Sequence, residues 1–186
     1  MSFLAALWMP ILLSAVFVFV LSSLIHMVLS YHKGDFKKLA NEDAVMEALR
    51  KFDIPAGDYA MPCPSSTNAM KSPEFIEKMK KGPVGVMTFT KCGPPSMGKS
   101  LALWFVYIVI VNVFAAYIGD RAVGAGGNYL HVFRFVGCTA FAGHSLALLH
   151  NSIWYHRNWG ATIRTMLDGL IYALVTAGTF GWLWPR

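Results

Sequence analysis

The chain has 186 residues, of which 55% are hydrophobic and only 14% charged, with a formal net charge of +6. Soluble domains carry about a quarter charged residues, so these proportions argue against a water-soluble globule, and the length suits one domain. The positive balance does not indicate nucleic acid either. Eleven of the sixteen Lys and Arg fall between Lys33 and Lys99 among eight acidic residues, a mixed-charge face without a recognition motif.

Residues 3-29 contain no Lys, Arg, Asp or Glu and are long enough to cross a hydrocarbon core of ~30 Å. The stretch lacks a basic n-region and a clean small-x-small cleavage site, and its apolar run is too long for a signal peptide. It is expected to be a retained transmembrane helix, with Pro10 in its first turns.

Residues 31-99 form the one sizeable polar segment. Asn41 is placed to cap a helix in which Val45, Met46, Leu49 and Phe52 recur at helical spacing, an amphipathic pattern suited to a membrane surface or to the chain's own spans. Prolines from Pro55 to Pro64 forbid a regular helix. Ser72-Pro73-Glu74 opens a second short helix and Gly82-Pro83 closes it. Val84 to Thr90 has strand-like content and is expected to pair with the Asp58–Met61 region.

Gly93-Pro-Pro-Ser-Met-Gly98-Lys99-Ser100 matches the phosphate-loop pattern G-x-x-x-x-G-K-[ST]. Its context argues for a chance match and no nucleotide. Two prolines remove N–H donors, the following helix is a membrane span, and too few residues remain for a parallel sheet. Residues 100-118 are the second expected span, Gly119 to Asn128 a glycine-rich turn carrying Asp120 and Arg121, and residues 129-150 the third span. Mid-span Asn112 predicts an interhelical hydrogen bond, and Arg134 is expected to snorkel or to pair with Asp120. Asn151 to Gly160 is an aromatic-rich interfacial connection.

The fourth span covers residues 164-184, with Arg164 at one interface and Trp182 and Trp184 at the other. Gly169, Ala173, Ala177 and Gly181 recur every four residues, beside a polar stripe of Asp168, Tyr172, Thr176 and Thr179. Small-residue ladders let membrane helices approach closely. Thr139, Gly143 and Ala147 make a similar ladder on the third span, so a close contact between the last two helices is expected.

The first and third connections hold thirteen basic residues, counting Arg157 and Arg164, against Arg121 and Arg186 on the other side. The positive-inside rule then places residues 31-99 in the cytoplasm and both termini on the opposite side of the membrane. Cys63 and Cys92 would face a reducing compartment and Cys138 the membrane, so no disulfide is expected.

Ionisable groups inside spans are expensive and call for partners. His26, His144, His150 and Asp168 all fall near the inner ends of expected helices. Three arrangements follow from them: structural polar bonding of His144 or His26 to Asp168 and to Ser22 or Ser23, a proton relay, or a metal or haem site. No two of these histidines have ligand spacing on one helix, so no cofactor is expected. No nucleophile with a nearby base is found either, which argues against an enzyme.

The pattern from Ile25-His26 through Lys71-Ser-Pro-Glu-Phe to the closing Gly-Trp-Leu-Trp-Pro-Arg resembles a group of small bacterial four-helix integral membrane proteins. The resemblance covers the whole chain and implies a bacterial four-helix fold; it implies no site residue. The expected fold is therefore all-α in the membrane, four transmembrane helices with a small α+β cytoplasmic insertion between the first two. The expected partners are the lipid bilayer and other membrane protein subunits, or a second copy. The leading functional expectation is an accessory or assembly subunit of a larger membrane complex. The alternatives are a small transporter or proton-relay protein using the His/Asp cluster, and a haem- or metal-binding redox protein.

Overall fold

The computed structural model describes residues 3–185; Arg186, which entered the charge count, lies outside them. The chain divides into two compact units, one formed by residues up to Lys37 together with Ser96 onward, the other by Lys38–Pro95.

The first unit is helical. Its elements are α1 (Phe3–Val28), then, after the second unit, α4 (Met97–Val123), α5 (Tyr129–Ser145), α6 (Leu149–Trp154) and α7 (Trp159–Trp182). Three helical stretches among the described residues are long and apolar enough to cross a membrane: α1, α4 and Tyr129–Trp154. The last of these is not one continuous α-helix, because a 3₁₀ turn at Leu146–Leu148 separates α5 from α6. At 1.5 Å per residue, the 24 residues of α7 reach about 36 Å. Arg164, Asp168 and its Gly and Thr content leave α7 less apolar than the other three. It is also extensively enclosed, burying residues from Ala161 to Phe180. A helix wrapped by other helices need not be apolar all round.

Several boundaries differ from the sequence expectation. Asp120 and Arg121 belong to the last turn of α4 rather than to a loop, and Gly124 ends the helix with φ 70°. The connection before the last helix shortens to 155–158, because Asn158 caps α7 by accepting from the Ala161 N–H at 3.3 Å. Hydrogen bonds from Trp184 Nε1 to the Gly124 carbonyl (2.8 Å) and from the Gly126 N–H to the Pro185 carbonyl (3.0 Å) tie the chain's end to the α4–α5 turn. Leu7 of α1 packs in the same cluster as Trp184, Phe180 and Val136. The start of α1, the α4–α5 turn and the end of α7 therefore share one end of the bundle.

The middle of the bundle is polar where it is most buried. Asn112 donates to Ser14 Oγ (2.9 Å) and to the Ile11 carbonyl (3.2 Å), and its Oδ1 accepts from Thr176 Oγ1 at 3.4 Å. One amide thus joins α1, α4 and α7, the interhelical role expected of it.

The small residues of α7 do face α5, through a stripe of α5 other than the expected one. A Cβ on Gly169 would lie 2.1 Å from Ser145 Oγ and 3.1 Å from His144 Cβ, and one on Gly181 would lie 2.7 Å from the Tyr129 ring. Gly137 faces Ala177, and Ala140 clusters with Ala173. The Thr139, Gly143 and Ala147 ladder turns elsewhere. Gly143 abuts Val111 of α4, Thr139 Oγ1 bonds the Phe135 carbonyl of its own helix, and Ala147 is exposed. Helical spacing identifies a stripe but not its partner, and larger neighbours on α5 fill the gaps left by the glycines of α7.

The second unit contains α2 (Glu42–Arg50), α3 (Pro73–Lys81) and an antiparallel pair, β1 (Gly57–Met61) with β2 (Gly85–Phe89), in the register Asp58↔Thr88. The expected strand pairing is present, and Thr88 Oγ1 donates to Asp58 Oδ1 at 2.6 Å across it. Ser72 caps α3 as expected, accepting from the Phe75 N–H. Asn41 does not cap α2 with its side chain; it adopts the left-handed conformation, φ 54°. Cys63, Cys92 and Cys138 are free and exposed.

Gly169→Ala should displace Ser145, break its bond to the Met166 carbonyl and destabilise the bundle by about 1–3 kcal/mol, the range for overpacking. Gly98→Ala, where a Cβ meets nothing within 4 Å, should be neutral or slightly stabilising. Thermal melting in detergent compares the two, and equal melting temperatures would contradict this packing.

Candidate functional site

Beyond α1 the chain turns back at once, with the Lys33 N–H bonding the Ser30 carbonyl and the Asp35 N–H bonding the His32 carbonyl. This turn lays Tyr31, His32 and Asp35 against α7, where Arg164 and Asp168 are four residues apart and share one face. The result is a continuous polar chain. Arg164 donates from Nε and a terminal nitrogen to Asp35 Oδ1 at 2.8 and 2.5 Å. His32 lies between the two carboxylates, its Nδ1 2.7 Å from Asp35 Oδ2 and its Nε2 2.8 Å from Asp168 Oδ2. The Tyr31 hydroxyl donates to Asp168 Oδ1.

Asp168 is 1% exposed. A buried carboxylate without partners is strongly unfavourable, and here both oxygens have one. His26 completes the cluster, its ring stacked on His32 with centroids 4.7 Å apart and planes 9° from parallel. Since a carbonyl only accepts, the 2.9 Å contact of His26 Nδ1 with the Ser22 carbonyl puts a proton on Nδ1. Donor atoms of His26, His32 and Asp168 all lie within 4.8 Å of one another.

Outside the membrane segments, Asp35 is the perturbed acid of this cluster. Burial works against its charged form, but the hydrogen bonds from His32 and Arg164 and the charges of both outweigh that. They hold its carboxyl below its ordinary value of 3.8.

Asp168 also lines a cavity of about 550 Å³ with Trp104, Tyr107, His144, Thr165 and Tyr172. His144 sits among the rings of Trp104, Tyr107 and Tyr172, with centroids 5.6 to 6.1 Å away. Both of its nitrogens and the Tyr172 hydroxyl are buried and lack a hydrogen-bond partner among the described residues.

The four ionisable residues singled out from sequence thus separate. His26 and Asp168 belong to one cluster, His144 shares only the cavity with Asp168, and His150 is exposed on α6. Of the expected bonding of His144 or His26 to Asp168 and to Ser22 or Ser23, the His26–Ser22 contact forms, through the Ser22 carbonyl, and the hydrogen bonds to Asp168 among the described residues come from Tyr31 and His32. Ser22 Oγ instead accepts from Trp104 Nε1 at 2.9 Å, and Ser23 Oγ bonds the Phe19 carbonyl. Arg134 and Asp120 form no ion pair among the described residues; Arg134 is exposed on α5. Around Gly93, Gly98, Lys99 and Ser100, β2 is antiparallel to its single neighbour, and Ser96 caps α4 through the Lys99 N–H. Tyr31, His32, Asp35 and Arg164 were missed as site residues. Their one local signal is His32 three residues before Asp35, just beyond an uncharged span.

Because the Asp35 carboxyl is lowered on folding, its ion pair contributes stability fully present above 3.8 and lost as pH falls through the folded value. Asp35→Asn should therefore lower the melting temperature most near neutrality, with the gap to the unmodified protein closing in acid. Melting curves between about pH 6 and pH 2 test this; a gap that stays constant would exclude the assignment.

No family model, curated protein or solved structure matches this chain.

Proposed function

We propose that this is a multi-pass protein of a bacterial inner membrane, with α1, α4, α5–α6 and α7 as four crossings, and that it moves protons through the Asp168–His32–Asp35 chain. The length of α7 and its antiparallel place in the bundle support the fourth crossing. The excess of Lys and Arg in residues 31-99 and at Arg157 and Arg164 supports a cytoplasmic position for that connection, with both termini periplasmic.

The observation that carries the relay is His32 held between two carboxylates at 2.7 and 2.8 Å. An imidazole so placed takes a proton at one nitrogen and releases another from the opposite one, with no movement beyond a hydrogen bond's length. Asp168 faces the cavity within the bundle, while Asp35 stands in the turn beyond α1 and is anchored by Arg164. The chain thus leads from an intramembrane cavity to the aqueous boundary. Buried ionisable groups in spans commonly mark such paths.

A second reading, the accessory subunit, draws support from the second unit. None of residues 38–95 is buried, and Val45, Met46 and Phe52 of the α2 region are 37%, 47% and 73% exposed. A segment that buries so little has little to offset the entropy of ordering it, which suits a surface that docks on a membrane or on another subunit. Extraction in mild detergent, with the native mass measured, tests this. A lone chain with no reproducible partner would count against it.

For the relay, protein reconstituted in liposomes containing a pH-sensitive dye should pass protons down an imposed gradient. Asp168→Asn should reduce that flux by about 100-fold, the scale of a lost proton-transfer group, while costing on the order of 1 kcal/mol in stability. Equal flux from the two proteins would rule the relay out.

A further inference from the structure

We infer that His26, His32 and Asp168 form a binding site for a divalent transition-metal ion of the zinc class. The inference goes beyond the relay reading, since an ion on His32 Nε2 and Asp168 Oδ2 would take the contact through which the proton chain runs. Three features carry it.

The first is convergence: the three donor atoms, from α1, the following turn and α7, lie within 4.8 Å of one another. Two imidazole nitrogens on one tetrahedral zinc-like ion at 2.0–2.1 Å lie about 3.4 Å apart, so side-chain shifts of roughly 1.4 Å in all, shared between two rings, close the site. The 2.8 Å between His32 Nε2 and Asp168 Oδ2 is close to the roughly 3 Å between neighbouring ligands of one such ion.

The second is orientation. Metal-binding histidines usually donate their other ring N–H to a carbonyl or carboxylate, which fixes the tautomer and points the free nitrogen at the ion. Both histidines do so. His26 Nδ1 bonds the Ser22 carbonyl at 2.9 Å and His32 Nδ1 meets Asp35 at 2.7 Å. The His26 ring thus keeps Nε2 for an ion, and at His32 an ion would displace the proton shared by Nε2 and Asp168 Oδ2 at 2.8 Å. The outer shell extends further, since Arg164 grips Asp35 and Tyr31 bonds Asp168 Oδ1, so that Oδ2, which now meets His32, is the oxygen that would turn to the ion.

The third is charge. Arg164 balances Asp35, so Asp168 is the remaining carboxylate of the cluster, facing two imidazoles. Two nitrogens and one oxygen suit zinc and its first-row neighbours and not magnesium or calcium, which take all-oxygen shells. Three protein ligands leave a coordination position open, and the cavity lined by Asp168 provides room for water or a small ligand there.

The test uses untagged full-length protein in detergent, titrated with Co²⁺ and read by its visible d–d absorption, with Zn²⁺ and Mg²⁺ as competitors. One Co²⁺ should bind per chain and be displaced by Zn²⁺ but not by Mg²⁺. His26→Ala removes an exposed ring whose hydrogen bond among the described residues is to its own helix and whose other contact is the stack on His32, so folding should survive. It should weaken binding by more than about 100-fold, beyond the 10–100-fold typical of a lost outer-shell bond, which is the loss expected for Asp35→Asn. His150→Ala should change nothing. Absence of a Co²⁺ spectrum, or equal binding by the His26→Ala and His150→Ala proteins, would overturn the site. Proton flux in metal-free liposomes separates the two ideas: flux without Co²⁺ binding overturns the metal site and leaves the relay, whereas Co²⁺ binding without flux supports the site and removes the relay.

Discussion

A carboxylate enclosed by helices has to be met by partners that lie on the same bundle, and Asp168 imposes that requirement on this protein. Its two oxygens are satisfied by Tyr31 and His32, which stand just beyond α1 and reach α7 only because the chain folds back there. The turn after α1, the stacking of His26 on His32 and the Asp35–Arg164 pair all follow from that one burial. Without the fold-back, Asp168 would be a buried carboxyl without these partners, which is strongly unfavourable.

Helix α7 can hold such a residue because it is largely enclosed. Gly169, Ala177 and Gly181 let α5 approach to backbone distance, and Thr176 reaches Asn112 in the bundle's middle. Close packing and polar content support each other: the small residues bring neighbours near enough to shield the polar ones, and the polar ones lock the register of the packing. The 3₁₀ turn after Ser145 belongs to the same region, where Ser145 bonds the Met166 carbonyl and sits against Gly169.

The cavity beside Asp168 differs in kind from the cluster. In the cluster, the buried groups bond one another. In the cavity, both nitrogens of His144 and the Tyr172 hydroxyl lie among aromatic rings, without hydrogen-bond partners among the described residues. Such groups gain from any water or ligand that enters. The second unit follows other rules. Its hairpin and two short helices are locally well specified, yet none of its side chains is buried.

Local patterns determined much of this protein. Uncharged runs mark α1 and α4 as long enough to cross a membrane, Ser72-Pro73 and Gly82 bound α3, and the strand-like content after Val84 marks β2, because each of these depends on residues close in sequence. Asn112 was legible as an interhelical bond, since an amide in mid-span has few other choices. Asp168 and His26 were legible as costly residues in need of partners. Which partners they take was decided only in three dimensions. His32 and Asp168 are 136 residues apart, and nothing in the spacing of either segment encodes a contact between them. His144 and His26 sat equally near Asp168 by depth along their helices, but depth does not set the rotation of a helix about its axis. That rotation, fixed by the fit of Gly169 against Ser145 and of Gly181 against Tyr129, turned Asp168 toward the fold-back after α1 and left His144 in its aromatic cage.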